Sequence, residues 1–388
     1  MNEVKTIRRL GPPVLDGVQA EPEKGDLLHR KIIRAALVAA LSTVALVAAA
    51  PLTAAPPSDR YTVTPLVSDV PGAAPTLDSN LVNGWGLARS ATSPWWVADN
   101  GTDKTTIYNG AGVLQMIGGV AFQGVEGKPT GAVFSGIAGQ FQVGTTASPT
   151  TLGTSNFIFA SEDGMIRAWR GGSTAALVTA SGGSGAIYKG LAIAQPTPGQ
   201  PLLYAADFHN ARVDVFNGTW QLVTPPDSFV DPELQDGYAP FGIQAIGNRI
   251  FVSYAKQDEA GEDEIAGQGR GFVDAYDLAG NLVARIDGHG QLDAPWGLAL
   301  APETFGRFAG DLLVGNFGNG EINAYEEQDG VFEHRGTLRA ADGKKLAIDG
   351  LWALEFGNAG NNGTPDQLFF TAGPDDETHG LFGMITSG

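Results

Sequence analysis

The chain has 388 residues, 54 of them glycine and 23 proline, with 43% hydrophobic and 17% charged side chains, a balance too apolar for a disordered polypeptide. It has no cysteine, which excludes disulfides, thiolate metal centres and catalytic thiols together. Its net charge is −18, made of +2 over residues 1–60 and −20 beyond, and no Lys/Arg stripe interrupts the acidic part, so nucleic acid is not an expected partner while cations are compatible.

Residues 1–28 lack hydrophobic periodicity and form a leader of unclear status. Arg30, Lys31 and Arg34 then precede the uncharged run Ala35–Ala50, which is followed by small residues and prolines as far as Pro57. That order is the order of a secretory signal, and the run is shorter than the ~20 residues of a membrane span. Residues 29–57 are therefore expected to be a signal peptide or, alternatively, an uncleaved anchor. Either places the protein outside the cytoplasm, periplasmic or extracellular, and the anchor is the one expected route to a membrane.

The first strand expected in the globular part is RYTVTPLV (60–67), which alternates apolar and polar residues. Six repeats follow, each with a glycine-centred or apolar first strand, a second strand ending in polar residues, and an alternating third strand. In chain order they begin at GWGLARS (84–90), PTGAVFS (129–135), YKGLAIA (188–194), PFGIQAI (240–246), PWGLALA (295–301) and DGLWALEF (349–356). Within the first repeat, PWWVADN (94–100) and TTIYNG (105–110) supply the second and third strands, and GVLQMI (112–117) is the expected fourth. NLVARI (281–286) is the fourth strand of the fourth repeat, which also carries an acidic insertion, KQDEAGEDEIAGQGRG (256–271). The insertion reads as a solvated loop or as a cation-attracting lid. The sixth repeat reaches Gly388 after its third strand, HGLFGMI (379–385), so residues 60–67 are available to complete it. The expectation is an all-β, six-bladed β-propeller over residues 58–388, closed by pairing of the N-terminal strand with the last blade; an open β-sandwich is the alternative.

The segments NGWGLA, FIFASEDG, YAADFHNARVDVF, LLVGNFGNG, IDGLWALEFGN and TAGPDDETHGLFG resemble an uncharacterised family of exported bacterial proteins with NHL-like six-bladed propeller repeats. The resemblance implies that fold and export, and assigns no activity. Some members carry a PEP-CTERM sorting tail; this chain ends in ITSG, so sorting by that route is not expected.

In such a fold the loops between second and third strands gather at one mouth of the axis. They offer Asp99, Asn100, Glu162, Asp207, His209, Asn316, Asp375 and His379, while the first strands add Asn83, Trp85, Lys189, Trp296 and Trp352. This central face is the expected ligand site, for a small polar ligand or a protein loop, although the same Asp and Asn residues also suit tight turns. Glu162, Asp207 and Asn316 are the candidate ligands for Ca²⁺ or another divalent cation. Two functions are carried forward: a monomeric binding module, and a divalent-metal hydrolase of lactone or sugar-acid type with one carboxylate as base. Zinc is not expected, because His209 and His379 lack a ligand spacing, and SGGSGAI (181–187) around Ser184 lacks the second glycine of a nucleophile elbow.

Overall fold

The computed structural model describes residues 58–118, 122–178, 183, 185–286, 288 and 290–388, all within the unit Ala55–Gly388. The leader 1–28, the segment 29–57, Ser184 and His289 lie outside the described residues. Described secondary structure is all-β apart from two single-turn 3-10 helices, Asn100–Thr102 and Gly306–Phe308. No helix among the described residues is long and apolar enough to cross a membrane.

Each expected repeat becomes an antiparallel meander. Gly84–Ala88, Trp95–Asp99 and Lys104–Tyr108 pair in that order. So do Pro129–Phe134, Phe157–Ser161 and Ile166–Trp169, and Tyr188–Thr197, Gln200–Asp207 and Arg212–Asn217. The fourth is Tyr238–Ile246, Arg249–Lys256 and Gly271–Asp277, the fifth Pro295–Leu300, Leu312–Asn316 and Ile322–Gln328. Leu351–Phe356, Leu368–Ala372 and Leu381–Ser387 form the last. The turn after the third strand is built alike in several repeats: the side-chain oxygens of Asn109, Asn217 and Asp277 each accept two backbone N–H groups of the following turn.

The outer strands depart from the expected pattern. GVLQMI (112–117) is not a strand: Leu114 and Ile117 stand at isolated bridge positions, Leu114 opposite Tyr108, and Phe122–Gly124 pairs with Lys104–Tyr108 instead. Its alternation is real, but Val113, Leu114 and Met116 are exposed and have no facing layer to bury them. Leu282–Ile286 and Val331–Thr337 touch at a single parallel pair, Ile286↔Phe332, which fuses the fourth and fifth meanders into one eight-stranded sheet. A hairpin of Gln142–Thr145 and Ser148–Thr154 was not expected.

Tyr61–Ser68 runs antiparallel to Leu381–Ser387, from Tyr61↔Ser387 to Ser68↔Leu381, and buries Tyr61, Leu66 and Val67. The six innermost strands pack each against the next, and Leu351–Phe356 also packs against Gly84–Ala88. Their glycines permit that approach: a Cβ at Gly86 would strike the Thr130 carbonyl, and one at Gly242 the Trp296 carbonyl. Apolar clusters fill the gaps between neighbouring sheets, such as Ile158, Leu191 and Leu203 between the second and third.

Candidate functional site

The innermost strands begin with the residues that meet at one end of the axis. Each of five carries a backbone irregularity just after its start, at Gly84/Leu87, Tyr188/Leu191, Pro240/Ile243, Pro295/Gly297 and Leu351/Leu354. A bulge re-aims the side chains beside it. Here Trp85, Lys189, Phe241, Trp296 and Trp352 occupy those positions. Trp85 and Trp352 stack with centroids 3.6 Å apart, and Phe317 stacks on Trp352 at 4.1 Å. Trp296 and Phe241 meet them edge-on or tilted, at 5.8 to 6.5 Å. Trp352 Nε1 donates to Asn83 Oδ1 at 3.0 Å, whereas the buried Nε1 groups of Trp85 and Trp296 find no acceptor among the described residues.

A single ammonium group sits on this aromatic floor. Lys189 Nζ lies 5.1 Å from the Trp85 ring centroid and its side chain is 1% exposed. It donates to Glu162 Oε1 at 2.7 Å and to Asp263 Oδ1 at 3.2 Å. Glu162 Oε2 accepts from Asn100 Nδ2 at 3.1 Å, and Asn83 Nδ2 donates to Glu377 Oε2 at 2.5 Å. Asn83 itself adopts a φ of +48°, and its carbonyl accepts the Asn100 N–H at 3.0 Å, so the two amides are fixed side by side.

The electrostatics follow from burial set against that one cation. Burial alone would raise the Glu162 carboxyl, but the Lys189 ammonium overrides it and holds Glu162 below the usual range. Burial alone would likewise lower Lys189, and Glu162 raises it instead. Glu264 has no such partner. Burial pushes its carboxyl up to about 8 against the pull of Lys189. Glu377 is also raised, chiefly by burial, despite its bond from Asn83. Four carboxyl groups therefore gather about one buried ammonium, and the exposed Lys128 adds a second at 3.8 Å from Glu162 Oε2.

Of the residues expected at this mouth, the structure brings together Asn83, Trp85, Asn100, Glu162, Lys189, Trp296 and Trp352. The others make separate arrangements. Asp99 is buried and accepts from Thr106 Oγ1 at 3.2 Å. Asp207 turns into its own hairpin, accepting from Ile187 N, Asn210 N and Asn210 Nδ2. Asn316 donates to the Gln291 carbonyl and to Asn319 Oδ1. His209 Nδ1 lies 3.3 Å from the Gly261 carbonyl; His379 Nδ1 lies 2.9 Å from Asp69 Oδ2. The Asp375 N–H donates to Asp349 Oδ2. Glu162, Asp207 and Asn316 thus bond to three different sets of partners, and no group of three or more His, Cys, Asp or Glu among the described residues is placed to hold a metal ion.

Sequence reasoning did not single out Asp263, Glu264 or Glu377. The first two belong to the acidic insertion, which folds back on the mouth: Gln257 pairs with Glu264 in a bridge, and Gln257 Nε2 donates to the Phe208 carbonyl at 2.6 Å. A run of like charges reads as solvated surface, and only the buried Lys189 opposite gives two of its members another role.

No family model matches the chain. Among solved structures, that of streptogramin B lyase covers 86% of this chain and 100% of its own, at 11% identity and a TM-score of 0.49. The soluble aldose sugar dehydrogenase of Escherichia coli in its apo form covers 84% and 100%, at 13% identity and a TM-score of 0.46. In sequence, the uncharacterized protein L690 of Acanthamoeba polyphaga mimivirus is 29% identical over 335 residues, 82% of this chain and 84% of its own. The uncharacterized protein R648 of the same virus is 30% identical over 334 residues, 82% of this chain and 78% of its own. Both relatives are viral and neither bears on the resemblance to exported bacterial proteins. With identity at that level along most of both sequences, the chain belongs to the same family as mimivirus protein R648.

Proposed function

We propose that residues 58–388 form a six-bladed β-propeller, closed by the strand Tyr61–Ser68 in its last blade, that serves as an exported binding module for a small, positively charged polar ligand at the Lys189 mouth. The reading of the fold draws support from six meanders, the cyclic packing of their innermost strands and the pairing of Tyr61–Ser68 with Leu381–Ser387. The binding reading rests on one observation. Glu162, Asp263, Glu264 and Glu377 gather about one buried ammonium, Lys189, which bonds the first two on a floor of aromatic rings, while the exposed Lys128 reaches Glu162 Oε2 at 3.8 Å. A ligand cation would take the place of the proton that burial keeps on Glu264 and favour the ionised form of Glu377, and the chain's charge of −18 draws cations toward it. No reaction is required of this arrangement.

Titration of the purified chain with putrescine, arginine and choline, beside glucose and citrate, tests the reading through melting temperature and tryptophan fluorescence. The cations should raise the melting temperature and perturb the fluorescence at millimolar concentration or below, and the E264Q/E377Q double variant should lose that response. A response to glucose or citrate alone, or an unchanged response in the double variant, would rule it out.

A further inference from the structure

The innermost strands leave the aromatic floor and run on to the opposite end of the axis, where the structure holds a second polar constellation. Beneath Trp296 a pocket of about 20 Å³ is lined by Gln244 and Glu355; it shares both with a wider chamber of about 210 Å³ that also takes in Arg89. The other lining residues carry apolar side chains, among them Leu87, Val133, Phe134 and Ile193, although most of the surface that the chamber exposes is polar. Because each innermost strand is the end strand of its sheet, each also turns an unpaired backbone edge toward the axis.

Arg89 is committed: its Nε and Nη2 donate to the Phe356 carbonyl at 3.0 and 2.7 Å, and its Nε lies 3.2 Å from Glu355 Oε1. Among the described residues, Glu355 has its second oxygen left over and the Gln244 side-chain amide makes no hydrogen bond. We propose that this chamber is a second binding site, separate from the Lys189 mouth, which takes a small primary amine with its ammonium on the Glu355 carboxylate and the Gln244 carbonyl oxygen. An ammonium has three N–H donors, and these two acceptors take two of them. The apolar side chains among the lining offer contact to a short alkyl chain, and the volume lies below the ~300–1,000 Å³ of pockets for drug-sized ligands. A lone carboxylate with an amide is too poor a donor set for a divalent metal. An anion would meet an arginine already engaged, in a chain of net charge −18.

Glu355 also has the protonation behaviour of a group awaiting a cation. Burial pushes its carboxyl up to about 7 against Arg89, the one charged group that acts on it. Calorimetric titration at pH 8 with n-butylamine and with n-butanol, which matches it in size without the charge, tests the proposal on the full chain. Butylamine should bind at least tenfold more tightly than butanol. E355Q should abolish that preference, while E264Q at the mouth should retain it. Equal binding of the two probes, an unchanged preference in E355Q, or its loss in E264Q alone would overturn the second site. Should E355Q fail to fold, Q244L should weaken butylamine several-fold and leave butanol alone; unchanged butylamine binding in folded Q244L would overturn it equally.

Discussion

Lys189 is the residue on which the mouth depends. Its ammonium is buried between Glu162 and Asp263, and breaking a buried pair by removing one partner costs about 3–5 kcal/mol, because the other charge is stranded. K189M should therefore lower stability by roughly that amount in chemical denaturation, and E162Q should recover part of the loss in the K189M background. Independent, additive losses would show that the two side chains are not coupled. Gly242 makes a different kind of demand, since any Cβ there strikes the Trp296 carbonyl of the neighbouring strand. G242A should cost at least ~2 kcal/mol, as overpacking against an immovable backbone does. Ala353 stands at the corresponding point of the last repeat, so A353G should fall within about 1 kcal/mol of the parent. Equal effects at the two positions would mean that the innermost strands do not approach as closely as their glycines indicate.

At the scale of the element, the strand Tyr61–Ser68 and the insertion 256–271 were legible to different degrees. The strand showed itself by alternation and by the shortfall of one strand in the last repeat, and it pairs with Leu381–Ser387 as that shortfall implied. GVLQMI showed the same alternation and is not a strand, because period alone does not reveal whether a neighbouring edge is free. The insertion offered only composition. Which of its acids reach Lys189 depends on a hairpin bridge and a side-chain bond to Phe208, neither of which leaves a pattern in sequence. Likewise Glu355 was passed over within LWALEF, although a carboxylate in an otherwise apolar innermost strand was the available signal. Removal of residues 58–68 should expose the edge of Leu381–Ser387 and the surfaces that Tyr61, Leu66 and Val67 cover, at roughly 2 kcal/mol for each side chain. A synthetic peptide of residues 58–70 should restore the lost melting temperature when added in excess. Full stability without the strand would remove the argument for closure of the last sheet.

Across the whole molecule, several carboxyl groups sit where burial holds their protons. Glu264 is raised to about 8, while Asp274 and Glu355 are each raised to about 7. Asp274 owes its shift to burial, opposed by the bond from Tyr276. A carboxyl whose folded pKa lies above its unfolded value binds a proton in the native chain at pH values where the unfolded chain has lost it. The stability it contributes is complete below about pH 4 and disappears as the pH climbs through 7 to 8. Glu355 alone accounts for roughly 3 kcal/mol on this basis. Glu162, held low by Lys189, acts in the opposite sense and weakens the fold only as the pH falls below the ordinary carboxylate range. Net negative charge adds to the alkaline loss, since self-repulsion grows as the buried acids ionise. Calorimetric melting temperature should therefore peak near pH 5 and decline steadily toward pH 9, and the E355Q and D274N substitutions should each flatten the decline between pH 6 and 8. A melting temperature that holds level or rises across that interval would mean that these carboxyl groups ionise freely in the folded chain, and that neither end of the axis is as dry as its packing implies.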